Sequence, residues 1–324
     1  MMTNVDVNTK ISDLSNFLNN YNILFKDEHL LNVSKAGDGN MNVVLRIKTN
    51  LRSLIFKQSR PYVEKYKTIS APLDRIEVEN KFYVTTNRNG FNSNFPKIIY
   101  YSKEDFFMIM EDLGSVEDLS NLYFRRKIDE KLIIKLTKIL KEIHSCSFQI
   151  NYPLNNELKK LNHQHIFVLP FIKDNGFSLD SVHKGLEVLA HSFISNEFLK
   201  NKSLSIGEQY LKKGSNLLHG DFYPGSWVQN NNKLYIIDPE FSFIGDIEFD
   251  LGVFVAHIII ITLEERYLIN IINHYSESID QKLVKYYTGI EIFRRIIGLA
   301  QLPTNLRLNE KEYLLKLSNR LLLN

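Results

Sequence analysis

Cysteine is almost absent from this sequence. Cys146 stands alone among 324 residues, which excludes an internal disulfide and any metal site built from several cysteines. A reducing cytoplasm is the expected setting. An excess of either charge is missing too. Forty Lys and Arg against 37 Asp and Glu leave a net charge of +3. A dedicated nucleic-acid binder usually carries a basic stripe, so no nucleic-acid partner is expected. Long apolar runs are also lacking. The longest, Val253 to Leu263, is interrupted by His257 and falls short of the roughly 20 residues a membrane span needs. It reads as a buried helix, with no membrane association. The first residues, Met1 to Lys10, are polar and carry no apolar core of a signal peptide. What remains is an ordinary folded composition, 44% hydrophobic and 24% charged.

Periodicity changes once along the chain. Lys10 to Asn20 predicts a helix with Ile11, Leu14, Phe17 and Leu18 on one face. Strand-like runs follow at Leu30–Ala36, Met41–Lys48 and Ser53–Lys57, the first two joined by Gly37-Asp38-Gly39-Asn40. Leu73–Val84 reads as a helix, then Lys97–Tyr101 and Phe106–Met110 as strands. From Ile128 helical spacing dominates: Ile128–Ser145, Ser181–Phe193, Val253–Leu263, Tyr267–Tyr275, Ile279–Tyr287, Gly289–Leu299 and Glu310–Leu323. A short strand pair, Trp227–Gln229 and Leu234–Ile237, interrupts them. The shift near Glu111 to Gly114 predicts an α+β chain of a small β-rich lobe, residues 1–112, and a larger helical lobe, residues 113–324. There is no internal repeat.

The chemistry concentrates in Leu217 to Gly252. His219-Gly220-Asp221 precedes a short hairpin and then Asp238-Pro239-Glu240. Phosphoryl transfer needs an oriented hydroxyl, a divalent cation on the phosphates and neutralised charge. Asp221 suits the catalytic role. Asp238 and Glu240 offer the hard oxygens that Mg²⁺ prefers. Two apart on extended backbone, they face the same side. Surface turn acids are the bland alternative for each residue alone. Gly37, Asp38, Gly39, Asn40 and Asn42 form a glycine turn able to bring backbone N–H groups to ATP phosphates, although an ordinary hairpin uses such turns as well. Lys57 ends the third strand, where kinases place a phosphate-contacting lysine. Glu79 in the following helix is its expected partner, with Glu77 as a rival. Met110, Glu111 and Leu113 fall where a hinge would hydrogen-bond adenine.

These pieces resemble the aminoglycoside phosphotransferase and choline kinase-like superfamily, and within it methylthioribose kinase. The matching residues run in order: Gly37-Asp38-Gly39-Asn40-x-Asn42, Lys57-Gln58, Leu73-Asp74-Arg75 with Glu79, Met110 to Leu113, His219-Gly220-Asp221, Gly225-Ser226, Asp238-Pro239-Glu240-Phe241, Phe249-Asp250-Leu251-Gly252 and Arg294-Arg295. The resemblance implies a two-lobed protein-kinase-like fold. It implies ATP and Mg²⁺ as cofactors, a small-molecule hydroxyl as acceptor, with 5-methylthioribose the best guess, and a homodimer, the common state of methylthioribose kinases. Ser226 stands where most kinase-like enzymes place a metal-binding asparagine, as in methylthioribose kinases, and is carried over as a substrate-site residue. Arg294 and Arg295 would contact the acceptor. Adjacent helical positions diverge by about 100°, so both need not face one site. An aminoglycoside, choline or other sugar acceptor stays open, as does an inactive nucleotide-binding module. The chain is shorter than typical methylthioribose kinases between Asp112 and His219, where the acceptor pocket is built. His163 and His165 lie in that stretch. Alternating strand spacing would put both on one face, for loop packing, acceptor contact or a metal.

Overall fold

The computed structural model describes residues 4–37, 41–64, 66–230, 233–275 and 278–323. The expected phosphate-turn residues Asp38, Gly39 and Asn40 lie outside the described residues. The chain divides into two compact units. The first comprises Met1–Glu117, Gln149–Leu158 and Gln229–Phe241; the second comprises Asp118–Phe148, Lys159–Val228 and Ser242–Asn324.

The first unit is built on a five-stranded antiparallel sheet. Its elements are helix α1 (Ile11–Asn20), strands β1 (Leu30–Lys35), β2 (Val43–Thr49) and β3 (Ser53–Gln58), helix α2 (Arg75–Arg88), and strands β4 (Ile98–Ser102) and β5 (Phe107–Glu111). The sheet order is β1-β2-β3-β5-β4. Alternation explains its packing: Leu45, Ile47, Leu54, Phe56, Phe107 and Ile109 point to one face and meet Leu14, Phe17 and Leu18 of α1. Ile11, expected on that face, is 43% exposed. Helix α2 has little apolar amphipathicity because its buried side mixes Ile76, Val78 and Phe82 with Arg75, Glu79 and Asn80. Charges buried on a helix are costly unless paired, so these positions mark a site.

The division expected at 112/113 misses two later returns of the chain. Strand Lys233–Ile236 is fixed to the first unit by Ile236 N donating to Asn94 O at 2.8 Å and Asn94 Nδ2 donating to Leu234 O at 2.7 Å. Asn230 Nδ2 donates to Leu113 O at 2.6 Å. These bonds join residues more than 100 positions apart, which a linear composition shift cannot register.

Helices dominate the rest: α3 (Glu130–His144), α4 (Asn156–His163), α5 (Leu186–Ile194), α6 (Glu197–Leu211), α7 (Ile247–Thr262), α8 (Arg266–Tyr275), α9 (Gln281–Ile297) and α10 (Leu308–Leu323). In the second unit α7 is buried on every side, as an apolar core helix must be. Its Gly252 permits close packing on α9: an added Cβ would lie 2.4 Å from Tyr287 Cβ. The two helices expected at 279–287 and 289–299 are one. Gly289 sits inside α9, where α10 comes so close that an added Cβ would meet Ser318 O at 3.0 Å. His163 ends α4 and His165 lies in a π-helical turn, Gln164–Val168, so the two are not on an alternating strand. His163 stacks on Phe167 at 5.4 Å, and among the described residues no group of three His, Cys, Asp or Glu is poised to hold a metal. No described helix is long and apolar enough to cross a membrane. Cys146 is buried, which pushes its thiol up to about 12.

Candidate active site

Two polar clusters are assembled from the expected residues, one in each unit.

In the first unit, β3 delivers Lys57 into the interior. Its Nζ lies 2.7 Å from Glu79 Oε2 and 2.5 Å from Asp238 Oδ1. Glu79, not Glu77, is therefore the partner; Glu77 pairs with the exposed Lys103. Burial alone would depress the Lys57 ammonium. Asp238, Glu79 and Glu240 outweigh it and hold the lysine charged. Glu79 is sealed from water, while the Asp238 side chain is 50% exposed, so the lysine links a fixed anchor to an accessible carboxylate.

Asp238 and Glu240 do not lie on extended backbone. Asp238 has φ of +60°, a left-handed conformation uncommon outside glycine, and Pro239–Phe241 forms a 3-10 turn. Glu240 is buried. Its Oε2 accepts from Asn42 Nδ2 at 2.8 Å and lies 3.3 Å from Arg75 Nε, and its backbone carbonyl accepts from Asn155 Nδ2 at 2.9 Å. Burial raises the Glu240 carboxyl, Lys57 and Arg75 pull it down, and Asp238 adds to the upward push. Asn42 was expected on ATP, yet its side chain turns inward, receiving Ser59 Oγ at 3.1 Å and Arg75 Nε at 2.9 Å. Arg75 is fully buried and also donates to the carbonyls of Arg60 and Met41. It organises the Asp-x-Glu segment, a role the sequence did not assign although Arg75 stands in the matching Leu73-Asp74-Arg75 motif. A basic residue on the inward face of α2 was the signal that could have found it.

As a metal site, Asp238 and Glu240 supply two hard carboxylates rather than an all-protein cage. Mg²⁺ is ordinarily held by one or two carboxylates, with phosphates and water completing its shell. The donor set fits that ion.

Near the expected hinge, Met110 pairs with Ile55 and Glu111 with Leu54 in the sheet ladder. The Leu113 carbonyl is taken by Asn230. Asp112 anchors the segment through Arg46 Nε at 2.8 Å and Ser53 Oγ at 2.5 Å. Gly37 has φ of +132° and open space where a Cβ would be.

In the second unit, Asp221 lies on a loop pinned by α7. Asp250 accepts from His219 N at 2.7 Å and from Gly220 N at 3.0 Å, while His144 Nε2 lies 3.2 Å from Asp250 Oδ2. Gly220 has φ of +85°, so the turn needs glycine. Asp221 Oδ1 is 3.3 Å from Arg295 Nη2 and 3.9 Å from Arg294 Nη1. Both arginines thus reach one carboxylate, despite their adjacency on α9. Burial raises the Asp221 carboxyl against the pull of Arg295 and Arg294, which favours a proton acceptor over an inert anion.

Ser226, expected in the substrate site, turns into its own loop. It is buried, and its hydroxyl lies 2.8 Å from Tyr223 O and 3.1 Å from Asp221 O while accepting from Tyr223 N at 3.2 Å. Those bonds close the loop on itself. Glu291 was missed. It accepts from Arg294 Nη1 at 3.1 Å and Arg295 Nε at 2.6 Å. A glutamate three and four residues before paired arginines was its legible signal.

A model of the phosphotransferase enzyme family matches residues 32–286. A methylthioribose kinase of Geobacillus thermodenitrificans (strain NG80-2) is 27% identical over 92% of this chain and 88% of its own length. One from Exiguobacterium sibiricum is 27% identical over 69% of this chain and 60% of its own length, so that the chain spans under two thirds of that relative. Among solved structures, a spectinomycin phosphotransferase in complex with ADP and spectinomycin superposes with a TM-score of 0.55 at 15% identity, covering 97% of this chain and 99% of its own. The choline kinase LicA from Streptococcus pneumoniae gives 0.52 at 15% identity, covering 96% and 98%. The structural likenesses establish a kinase-like fold. The chain belongs to the phosphotransferase enzyme family, as a small-molecule phosphotransferase.

Proposed function

We propose that this protein is an ATP-dependent kinase that phosphorylates a hydroxyl of a small sugar, 5-methylthioribose or a close relative. The observation that carries the reading is Asp221, a half-buried carboxylate held by a clamped loop and faced by Arg295 and Arg294. Asp221 orients the acceptor hydroxyl and takes its proton late in a loose transition state. The arginines offer fixed donors to sugar oxygens and offset charge during transfer.

On the nucleotide side, Lys57, oriented by Glu79, neutralises phosphate charge, with the turn around Gly37 beside the phosphates and the Met110–Leu113 segment on the adenine. Asp238 and Glu240 would hold Mg²⁺, which when bound neutralises phosphate oxygens. The Asn42 and Arg75 contacts keep Glu240 fixed for that task.

The sugar acceptor rests on the methylthioribose kinase likeness and on charge. The two guanidiniums are balanced by Asp221 and Glu291, and a neutral group of this kind offers no acidic face to a polycationic aminoglycoside or to choline. The reading includes a cytoplasmic setting and the homodimer that methylthioribose kinases commonly form. Its test is ATP consumption with and without Mg²⁺ against 5-methylthioribose, ribose, choline and spectinomycin. The expected result is Mg-dependent turnover with the thio-sugar. Turnover only with choline or spectinomycin would overturn the acceptor, and none with any compound would overturn the kinase reading.

A further inference from the structure

Behind Arg295 lies a buried polar chain that the reading above does not use. Glu291, on α9, is sealed from solvent, and its carboxylate receives both arginines. A third contact comes from α7: His257 Nε2 lies 3.2 Å from Glu291 Oε1. On the other edge of the ring, His257 Nδ1 is 2.6 Å from the Tyr123 hydroxyl. The ring of Tyr223, from the Asp221 loop, rests on His257 at 5.2 Å and carries the Arg295 guanidinium 4.9 Å above its own centre.

The proton positions follow from the chemistry. A carboxylate flanked by two guanidiniums is ionised and can only accept. Its position beside Arg294 and Arg295 holds Glu291 far below the usual carboxylate range despite burial. So His257 Nε2 must carry a hydrogen. Burial keeps the imidazole neutral, with its pKa lowered to about 4, so Nδ1 is an acceptor. The Tyr123 hydroxyl must then donate to it. Donation runs one way, from Tyr123 to His257 to Glu291.

We propose that Tyr123, His257 and Glu291 form a positioning relay that aims the Arg295 guanidinium at Asp221 and balances the charge of the arginine pair. The proposal rests on the kinase reading. Arginine side chains have several rotamers, and Glu291 selects the one that uses Nε inward and leaves Nη2 for Asp221. It also makes the group neutral in sum: Asp221 and Glu291 against Arg294 and Arg295. Without Glu291 both cations would fall on Asp221 and tie up the lone pairs that the acceptor hydroxyl needs. His257 and Tyr123 touch none of the reacting atoms; they fix Glu291.

The test combines steady-state kinetics with MgATP and 5-methylthioribose and nitrogen NMR of the His257 ring. Glu291→Gln should lower kcat by about 100-fold and leave the KM for ATP within about twofold, since an interaction confined to the acceptor side changes the chemical step and not nucleotide binding. His257→Phe keeps a ring on Tyr223 and should lower kcat about 10-fold; Tyr123→Phe should lower it about threefold, and the double variant should match His257→Phe alone, because links of one chain are not additive. Parent enzyme should show the Nε2–H tautomer, Tyr123→Phe should keep it because Glu291 still requires the Nε2 hydrogen, and Glu291→Gln should show a mixture. Parent kcat in a folded Glu291→Gln, additive effects in the double variant, or an Nδ1–H tautomer in the parent would each overturn the relay. If Glu291→Gln does not fold, the Tyr123/His257 cycle and the tautomer decide. A parent that consumes no MgATP overturns the kinase reading itself, whereas an active parent indifferent to these changes overturns only the relay.

Discussion

The two polar clusters solve opposite electrostatic problems. Around Lys57, three carboxylates (Glu79, Asp238, Glu240) meet two cations, Lys57 and Arg75. Burial pushes the Glu79 carboxyl up to about 8 against the pull of Lys57, and when all three acids are ionised the surplus negative charge falls on Asp238, the member open to solvent. Around Asp221, two carboxylates meet two arginines and the charges cancel in a buried setting. A site with an open carboxylate and unspent negative charge suits a divalent cation with its phosphates. A balanced site suits a neutral, hydroxyl-bearing acceptor. Under the proposed function, this division of labour explains why the arginines are in the acceptor cluster, although phosphates are the anions.

Breaking the balanced cluster should have the largest effect. Asp221→Ala should cut turnover by about 10³-fold or more, with ATP binding nearly unchanged, as measured by kcat and by nucleotide titration. Parent-like turnover would remove Asp221 from catalysis. In the surplus-charge cluster, Lys57→Met should lower kcat/KM for ATP by about 100-fold. Glu79→Gln should lower it by about 10-fold, since it disturbs only the lysine's placement. Equal losses from the two changes would mean that Glu79 does more than hold Lys57.

Two smaller effects concern stability. His257 is neutral in the fold and protonates from an ordinary value of 6.5 when unfolded, whereas its folded pKa is about 4. The unfolded chain therefore binds more protons over that interval, and stability must fall as pH drops from 6.5 toward 4. His257→Gln should remove up to about 3 kcal/mol of that pH dependence, read from chemical denaturation at pH 7 and pH 4.5. An unchanged slope would mean that His257 is not buried and neutral. Gly252→Ala should cost about 1–3 kcal/mol at any pH, because its Cβ would overlap Tyr287.

The sheet and most helices were legible because one face of each is apolar at the right period. The individual chemistry was legible where a residue type is rare in its context, as with Asp221 after His-Gly or Lys57 after an apolar strand. Supporting residues were harder to see. Arg75 and Glu79 sit on the buried face of α2 and blur its apolar pattern, so the helix signal weakened where the site was richest. Ser226 was read by its position after Asp221, but its hydroxyl is spent on the loop backbone, a matter of rotamer that no spacing encodes. His257 was visible only as a break in an apolar run. Its partners Tyr123 and Glu291 lie 134 and 34 positions away. Gly289 read as a helix break because glycine weakens helices in isolation, while here the closeness of α10 selects it.

The central claim is that Asp221 serves transfer of a phosphoryl group to a hydroxyl. The most direct measurement is phosphorus NMR of MgATP and 5-methylthioribose incubated with parent enzyme and with Asp221→Asn. The account predicts that ADP and a new sugar phosphate appear together with the parent and that neither appears with the variant. ADP and sugar phosphate formed at equal rates by both proteins would contradict it.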